Sequence, residues 1–319
     1  MSKDARFFRQ QMFCRFVFCA AVSCFIIAAN VIVNAAQYET RNFTTENAPD
    51  LESAKRIAET AEYCRREMAM LWLGTTIPDW TEKCPIRVKV GKELGAGGAT
   101  TFVFQDGGVS GWEMDIQGSE ERILDSVLPH EITHIVLASH FRRPLPRWLD
   151  EGIATSVENE SEKERYRKML RHFISKDVQR CLPCRRMVSM KEYPEDVMPF
   201  YAQGFSTVEY LLLLGGQRKI VHFAETAMKT GWDNALLQHY GFANLGEFQE
   251  DYWVKWVAAG SPVQVPPALR PNSGTLLTSN SAASSSETVN SYDNNSYNNA
   301  NIYNSAYNGV YRNLRNKTE

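Results

Sequence analysis

The sequence lacks a strong charge of either sign. Its 319 residues carry a formal net charge of −2, and its hydrophobic fraction of 44% is ordinary for a globular protein. Proteins that bind nucleic acid usually show a basic balance or a concentrated basic patch. The near-neutral balance therefore argues against nucleic acid as a partner. No long internal repeat is visible.

Long hydrophobic runs are also scarce, and the one clear example lies at the N-terminus. A nearly continuous apolar run extends from Phe16 to Val33 and ends in NAAQ, with small residues before a cleavage point. The basic residues that precede the run are Lys3, Arg6, Arg9 and Arg15. This order is typical of a secretory signal peptide, so residues 1–35 predict a secreted or cell-envelope protein. Because the run is long for a signal peptide, an uncleaved membrane anchor is the alternative.

Cysteine is scarce after this N-terminal segment. The chain has seven cysteines, of which only Cys64, Cys84, Cys181 and Cys184 follow it. The last two form a CxxC, and the absence of a second CxxC argues against a structural zinc site with four cysteine ligands. An even number of cysteines in an exported chain favours disulfide bonds. We expect a local CxxC disulfide, with two solvated thiols as the alternative. Cys64 and Cys84 are the natural second pair, although the sequence does not fix the connectivity.

Aliphatic residues become rare near the C-terminus. The stretch after a proline-containing link is rich in Ser, Asn and Tyr and has no sustained apolar period. Such a composition cannot bury enough apolar surface to offset the entropy lost on ordering. Residues 262–319 are therefore predicted to form a disordered tail, and residues 37–261 to form the folded domain.

Apolar periodicity within this domain predicts an α+β fold. Apolar side chains recur at spacings of three and four from Asp50 to Gly74, which indicates an amphipathic helix capped by those two residues. Alternating segments separated by glycine clusters predict strands at residues 38–45, 84–91, 99–105 and 109–118. A second helix is predicted after Ser119, and the pattern from Arg142 to Val257 is mainly helical. Because strands and helices are grouped rather than alternating, the layout is α+β.

The most informative motif is LPHEITHIVLASHF at residues 128–141. His130 and His134 are four residues apart, so on a helix both imidazoles face one point, as two ligands of a zinc ion must. Glu131 lies one step round the helix, where it can take a proton from a water at the metal. Pro129 fits the first helical turn, where its missing N–H is not needed. Two histidines alone leave a catalytic zinc one ligand short, and an amphipathic helix carrying two histidines is then an equal alternative.

A third ligand is available further along the chain. Glu151 lies seventeen positions after His134, in the segment RPLPRWLDEGIATSVEN. The prolines mark a turn, and the apolar residues that follow predict a helix with one face to bury. This spacing leaves enough chain to turn and bring the carboxylate back beside the two imidazoles. In isolation, Glu151 would be better explained as a solvated helix residue.

The two segments PHEITHIVL and PRWLDEGIA together resemble the gluzincin zinc metallopeptidases of the thermolysin and aminopeptidase-N type, and most closely the peptidase MA-like domains. The resemblance covers most of residues 37–257. It implies one zinc ion bound by His130, His134 and Glu151, with Glu131 as general base. It also implies a zincin-like domain: a small mixed sheet with an edge strand, then the active-site helix, the glutamate helix and a helical C-terminal subdomain.

The resemblance also indicates how a peptide substrate would bind. In such enzymes the strand before the active-site helix lies at the cleft edge and pairs with the substrate backbone, which here predicts residues 109–117. A tyrosine near the later helix often donates to the oxyanion, and Tyr201 is the predicted donor. Weaker alternatives for that role are Tyr193, Tyr210 and His222. The same strand matches the aminopeptidase motif GxMEN only weakly. The sequence therefore favours an endopeptidase over an aminopeptidase, but it does not distinguish the two firmly.

One position departs from the family pattern. Thermolysin-like enzymes often place an acid four residues after the ligand glutamate to orient a ligand histidine, and here that position is Thr155. Asp150 or another acid is expected to take this role. Two alternatives to a peptidase remain: a catalytically altered zincin-fold domain that binds a peptide or cell-envelope partner, and a non-enzymatic surface protein that acts through its tail. The presence of Glu131 favours the enzyme, because binding alone does not need a base.

Overall fold

The computed structural model describes residues 9–10, 35–190 and 192–271. The predicted signal segment therefore lies almost entirely outside the described residues, as does the tail beyond Pro271. Contacts between Cα atoms divide the chain into two compact units. Among the described residues, the first unit contains those up to Leu145 together with Val157–Glu162, and the second contains Pro146–Ser156 and those from Lys163 to Pro271.

The first unit is built on a mixed sheet, as the α+β prediction requires. Its strands are β1 (Arg9–Gln10), β2 (Ala36–Glu39), β3 (Phe43–Ala48), β4 (Cys84–Val90), β5 (Gly97–Gln105) and β6 (Gly108–Gly118). Their order across the sheet is β1-β5-β6-β4-β3-β2. The β3–β4 and β4–β6 pairs are parallel, and the other pairs are antiparallel. The segment predicted as one strand at residues 38–45 is instead a hairpin of β2 and β3.

The strand predicted to lie at the sheet edge is not at the edge along its whole length. Residues 109–117 belong to β6, which pairs with β5 on one side and with β4 on the other. Both backbone sides are used at residues 114–117, so the prediction of an edge strand is wrong there, whereas residues 109–113 pair with β5 alone. The neighbouring β5 lies further out, where β1 pairs only with Phe102 and Val103. Within the described residues, Gly97–Thr101 of β5 has no strand on its outer side, and β5 contacts α3.

The helices of the first unit follow the predicted signals. Helix α1 (Leu51–Leu73) begins where Asp50 Oδ1 accepts a hydrogen bond of 2.7 Å from Ser53 N, and ends at Gly74 in the left-handed conformation. Ser119 caps α2 (Glu120–Arg122), and a π-helical turn at Ile123–Val127 leads directly into α3 (Leu128–Phe141).

The π-helical turn explains how Pro129 is accommodated. Pro129 lies in the first turn of α3, directly after the wider π-helical turn, so its missing N–H does not interrupt the helix. Most of α3 is buried, and it packs on α1 and on strands β5 and β6.

The second unit is helical, as predicted. Its longer helices are α4 (Arg147–Ser156), α5 (Glu160–Lys176, from Lys163 onward in this unit), α7 (Val197–Thr230) and α8 (Trp232–Tyr240). Shorter ones are α6 (Cys184–Met187), α9 (Leu245–Glu247) and α10 (Val254–Ala258). Helix α4 packs on α7, and α7 bends at Gly216, where the backbone leaves helical geometry (φ 74°, ψ −178°).

The folded region extends past its predicted end at residue 261. Val265 is buried, Trp256 Nε1 donates a hydrogen bond of 3.0 Å to the carbonyl of Pro262, and Tyr210 donates to the carbonyl of Leu269. The proline-containing link therefore packs on the second unit and is part of it through Pro271. No helix among residues 35–190 and 192–271 is both long enough and apolar enough to cross a membrane.

The cysteines do not form the expected disulfide bonds. All four cysteines in the described region, Cys64, Cys84, Cys181 and Cys184, are free thiols. Burial raises the pKa of Cys64 and of Cys184 to about 12, and it raises the pKa of Cys84 as well. Buried thiols with raised pKa values stay protonated and pack as small apolar side chains.

Candidate metal centre

The two histidines of the HEITH motif lie together on α3. Their ring centroids are 4.9 Å apart, with an interplanar angle of 72°. His134 is 1% exposed, and His130 is partly exposed. His130 Nδ1 lies 2.7 Å from Oε1 of Glu158, so Nε2 is the ring nitrogen that points away from this carboxylate. The motif therefore forms the helical histidine pair that its spacing predicts.

Glu131 is held by strand β5. Its side chain is buried, and Oε2 accepts a hydrogen bond of 2.7 Å from Thr100 Oγ1. A Cβ atom on Gly98 would lie 2.7 Å from Glu131 Oε1, closer than real Cβ contacts allow. Glycine at this strand position therefore makes room for the carboxylate. The sequence pattern did not reveal either Gly98 or Thr100 as a site residue. The predicted strand began at residue 99, whereas β5 begins at Gly97, and a glycine within a strand is a recognised signal of close approach.

Glu151 lies on α4 in the second unit and is also buried. Tyr193 donates a hydrogen bond from its hydroxyl to Glu151 Oε1. Burial, and next the neighbouring Glu151 carboxylate, raise the pKa of Tyr193, which keeps the phenol protonated as a donor. The Tyr193 ring stacks on Tyr201, with centroids 5.9 Å apart and an interplanar angle of 24°.

The four residues considered as oxyanion donors differ in their contacts. Tyr201 is nearly buried at the start of α7 and contacts Tyr193. Tyr193 was one of the weaker alternatives on sequence, yet its hydroxyl bonds Glu151. Tyr210 bonds the carbonyl of Leu269, and His222 is exposed and pairs with Glu225. Tyr193 therefore contacts Glu151 directly, and Tyr201 contacts Tyr193, all within the second unit.

The acid that orients a histidine is Glu158, not a residue four positions after Glu151. Thr155, at that position, is buried, and its hydroxyl has no hydrogen-bond partner among the described residues. Glu158 follows α4 in a loop that belongs to the first unit. The next residue, Asn159, fixes this loop through bonds of 3.2 Å to Ser126 and 3.1 Å to Asp125. The carboxylate is thus supplied from outside the glutamate helix.

This contact leads to a prediction about metal affinity. Glu158→Gln removes the charge that makes the His130 imidazole a better donor, so the dissociation constant for zinc should rise about 10-fold, the lower end of the usual effect. A competition titration against a chromogenic chelator measures it. The control is Glu120→Gln, because Glu120 bonds Ser53 and Arg56 and not a histidine. Equal zinc affinity in wild type and a folded Glu158→Gln protein would contradict the assigned role.

The predicted ligands satisfy a basic geometric requirement for a metal site. One ligand atom each of His130, His134 and Glu151 lies within 4.8 Å of the others. Two imidazoles and one carboxylate form a donor set that zinc takes in catalytic sites, with the remaining position open. The residues present therefore fit the metal that the motif predicts.

Comparisons with known proteins do not assign a family to the chain. No protein-family model matches it. No curated protein sequence matches it significantly either.

Proposed function

We propose that this chain is an exported zinc-dependent peptidase. The observation that carries the proposal is the grouping of His130, His134 and Glu151, with Glu131 adjacent to the first ligand on the same helix. A structural metal site needs no carboxylate beside its ligands. A hydrolytic site does need one, to accept a proton from the attacking water. Export rests on the basic and apolar pattern of the N-terminal segment.

In the proposed peptide hydrolysis, each residue of the site has a separate role. Zinc, when bound, would polarise the peptide carbonyl and lower the pKa of water at the metal. Glu131 accepts a proton from the attacking water and passes it to the leaving amine. Thr100 and Gly98 keep the Glu131 carboxylate in place for both transfers. Tyr201 donates a hydrogen bond to the developing oxyanion, because the single hydroxyl hydrogen of Tyr193 already bonds Glu151.

The substrate is proposed to lie along β5 instead of β6. The two residues that meet Glu131, Gly98 and Thr100, belong to the outer strand. A peptide added beside Gly97–Thr101 would therefore run past the general base. Such β-augmentation uses backbone hydrogen bonds for affinity, and the side-chain preferences are set by neighbouring pockets.

The metal requirement gives the direct test. Purified wild-type protein should contain one zinc per chain by native mass spectrometry and should cleave members of a random peptide library. Removing zinc with 1,10-phenanthroline should abolish cleavage, and adding zinc back should restore it, because the site supplies the only Lewis acid in the mechanism. A folded, zinc-loaded protein that yields no cleavage products from the library would overturn the peptidase proposal.

A further inference from the structure

Arg147 is a buried cation that has no counter-ion among the residues that the structure describes. It is the first residue of α4 and is 8% exposed. Its Nη1 is buried and has no hydrogen-bond partner, and within residues 35–190 and 192–271 the side chain forms no ion pair. The guanidinium group lies over the ring of Tyr193, whose centroid is 4.9 Å from the guanidinium carbon.

Burying a guanidinium without a counter-ion lowers the stability of the protein unless a ligand pairs with it. Removing a guanidinium from water is costly when no carboxylate or carbonyl takes up its N–H groups. Contact with an aromatic face compensates only in part and leaves the N–H groups in the guanidinium plane available. If the side chain only supported the Tyr193 ring, an apolar residue of the same length would do so without this cost.

The position of Arg147 links it to the proposed metal ligand. Arg147 and Glu151 are four residues apart on α4 and thus lie on one helix face. Tyr193 contacts both residues: its ring faces the guanidinium, and its hydroxyl bonds Glu151. These contacts all lie within the second unit. The positive end of the α4 dipole adds to the charge at this point.

We propose that Arg147 binds a carboxylate of the peptide substrate. A guanidinium presents parallel N–H groups that match a carboxylate, and an extra negative group would complete its coordination. The carboxylate is either the free C-terminus or an Asp or Glu side chain near the cleaved bond. The inference rests on the proposed peptidase function, because it assigns a specificity to the same site.

The experiment separates binding from cleavage. Zinc-loaded Glu131→Gln protein is titrated with fluorescent peptides, and fluorescence anisotropy gives the dissociation constants. One pair of peptides differs only in a free or amidated C-terminus, and a second pair differs only in Glu or Gln within the sequence. We expect the carboxylate member of one pair to bind about 10- to 100-fold more tightly, the usual effect of a hydrogen bond to a charged group. The pair that shows the preference identifies the source of the carboxylate.

Substitutions of Arg147 in the same background then test the residue. Arg147→Gln should remove the preference by weakening only the carboxylate peptide, and Arg147→Lys should keep part of it. Arg185→Gln is the control, because Arg185 is exposed and pairs with Asp233. Equal binding of acid and neutral peptides by Glu131→Gln, or an unchanged preference in Arg147→Lys and Arg147→Gln, would overturn the inference. A preference that depends on Arg147 in a protein that cleaves nothing would instead remove the peptidase proposal and keep the carboxylate site.

Discussion

Replacing Glu131 with glutamine should lower kcat/KM for peptide cleavage by about 10²- to 10⁴-fold, the usual contribution of a general base. Glutamine has nearly the same shape and can still accept the bond from Thr100, but it cannot take a proton from water. Zinc content should stay at one per chain, since Glu131 is not a proposed ligand. A fluorogenic peptide assay, together with native mass spectrometry, measures both quantities.

The control for this substitution is Glu121→Gln, on the exposed start of the same helical segment. It removes the same charge away from the buried site, so activity should be unchanged. Wild-type activity in a zinc-loaded Glu131→Gln protein would show that another group accepts the proton. Loss of zinc in that variant would instead place Glu131 among the ligands.

Replacing Gly152 with alanine should destabilise the protein although alanine is the better helix former. A Cβ at this position would lie 2.5 Å from the carbonyl oxygen of Gly204 and 2.6 Å from Cγ2 of Val208, so α4 and α7 would have to separate. Overpacking costs about 1–3 kcal/mol. The gain in helix propensity is about 1 kcal/mol, so the net free energy of unfolding should fall.

Urea denaturation measures this change, and activity should fall with it because Glu151 precedes Gly152 on the displaced helix. Gly95→Ala is the matched control, since no atom lies within 4 Å of a Cβ there. A Gly152→Ala protein at least as stable as wild type would mean that α4 and α7 do not approach as closely as described.

Local patterns in the sequence predicted most helices and strands, because these elements depend on contacts between residues that are close along the chain. Asp50 and Gly74 cap α1 through contacts within a few residues, which spacing alone reveals. The histidine pair depends only on helical geometry. The edge-strand prediction was wrong for residues 114–117 because alternation within β6 reports which face is buried and not which strands lie beside it.

The supporting residues of the site were harder to predict because their partners are remote in sequence. Glu158 reaches His130 across 28 positions, and Tyr193 reaches Glu151 across 42. No periodicity connects such pairs. Thr155 occupies the position where the family pattern places an acid, and the loop fixed by Asn159 supplies the carboxylate instead. Resemblance therefore located the proposed ligands, and the structure was needed to find the groups that hold them.

The division of the chain into discontinuous units has a consequence for the order of folding. The first unit needs Val157–Glu162, so it cannot be completed when Leu145 has just been synthesised. Helix α4 belongs to the second unit and depends on α7, which is made later. Contacts between segments distant along the chain slow folding, because the loop between them must be ordered first. The histidine pair can thus form early, whereas Glu151 gains its supporting helix only after α7 exists, so binding of the proposed zinc ion would be a late step in the maturation of this chain.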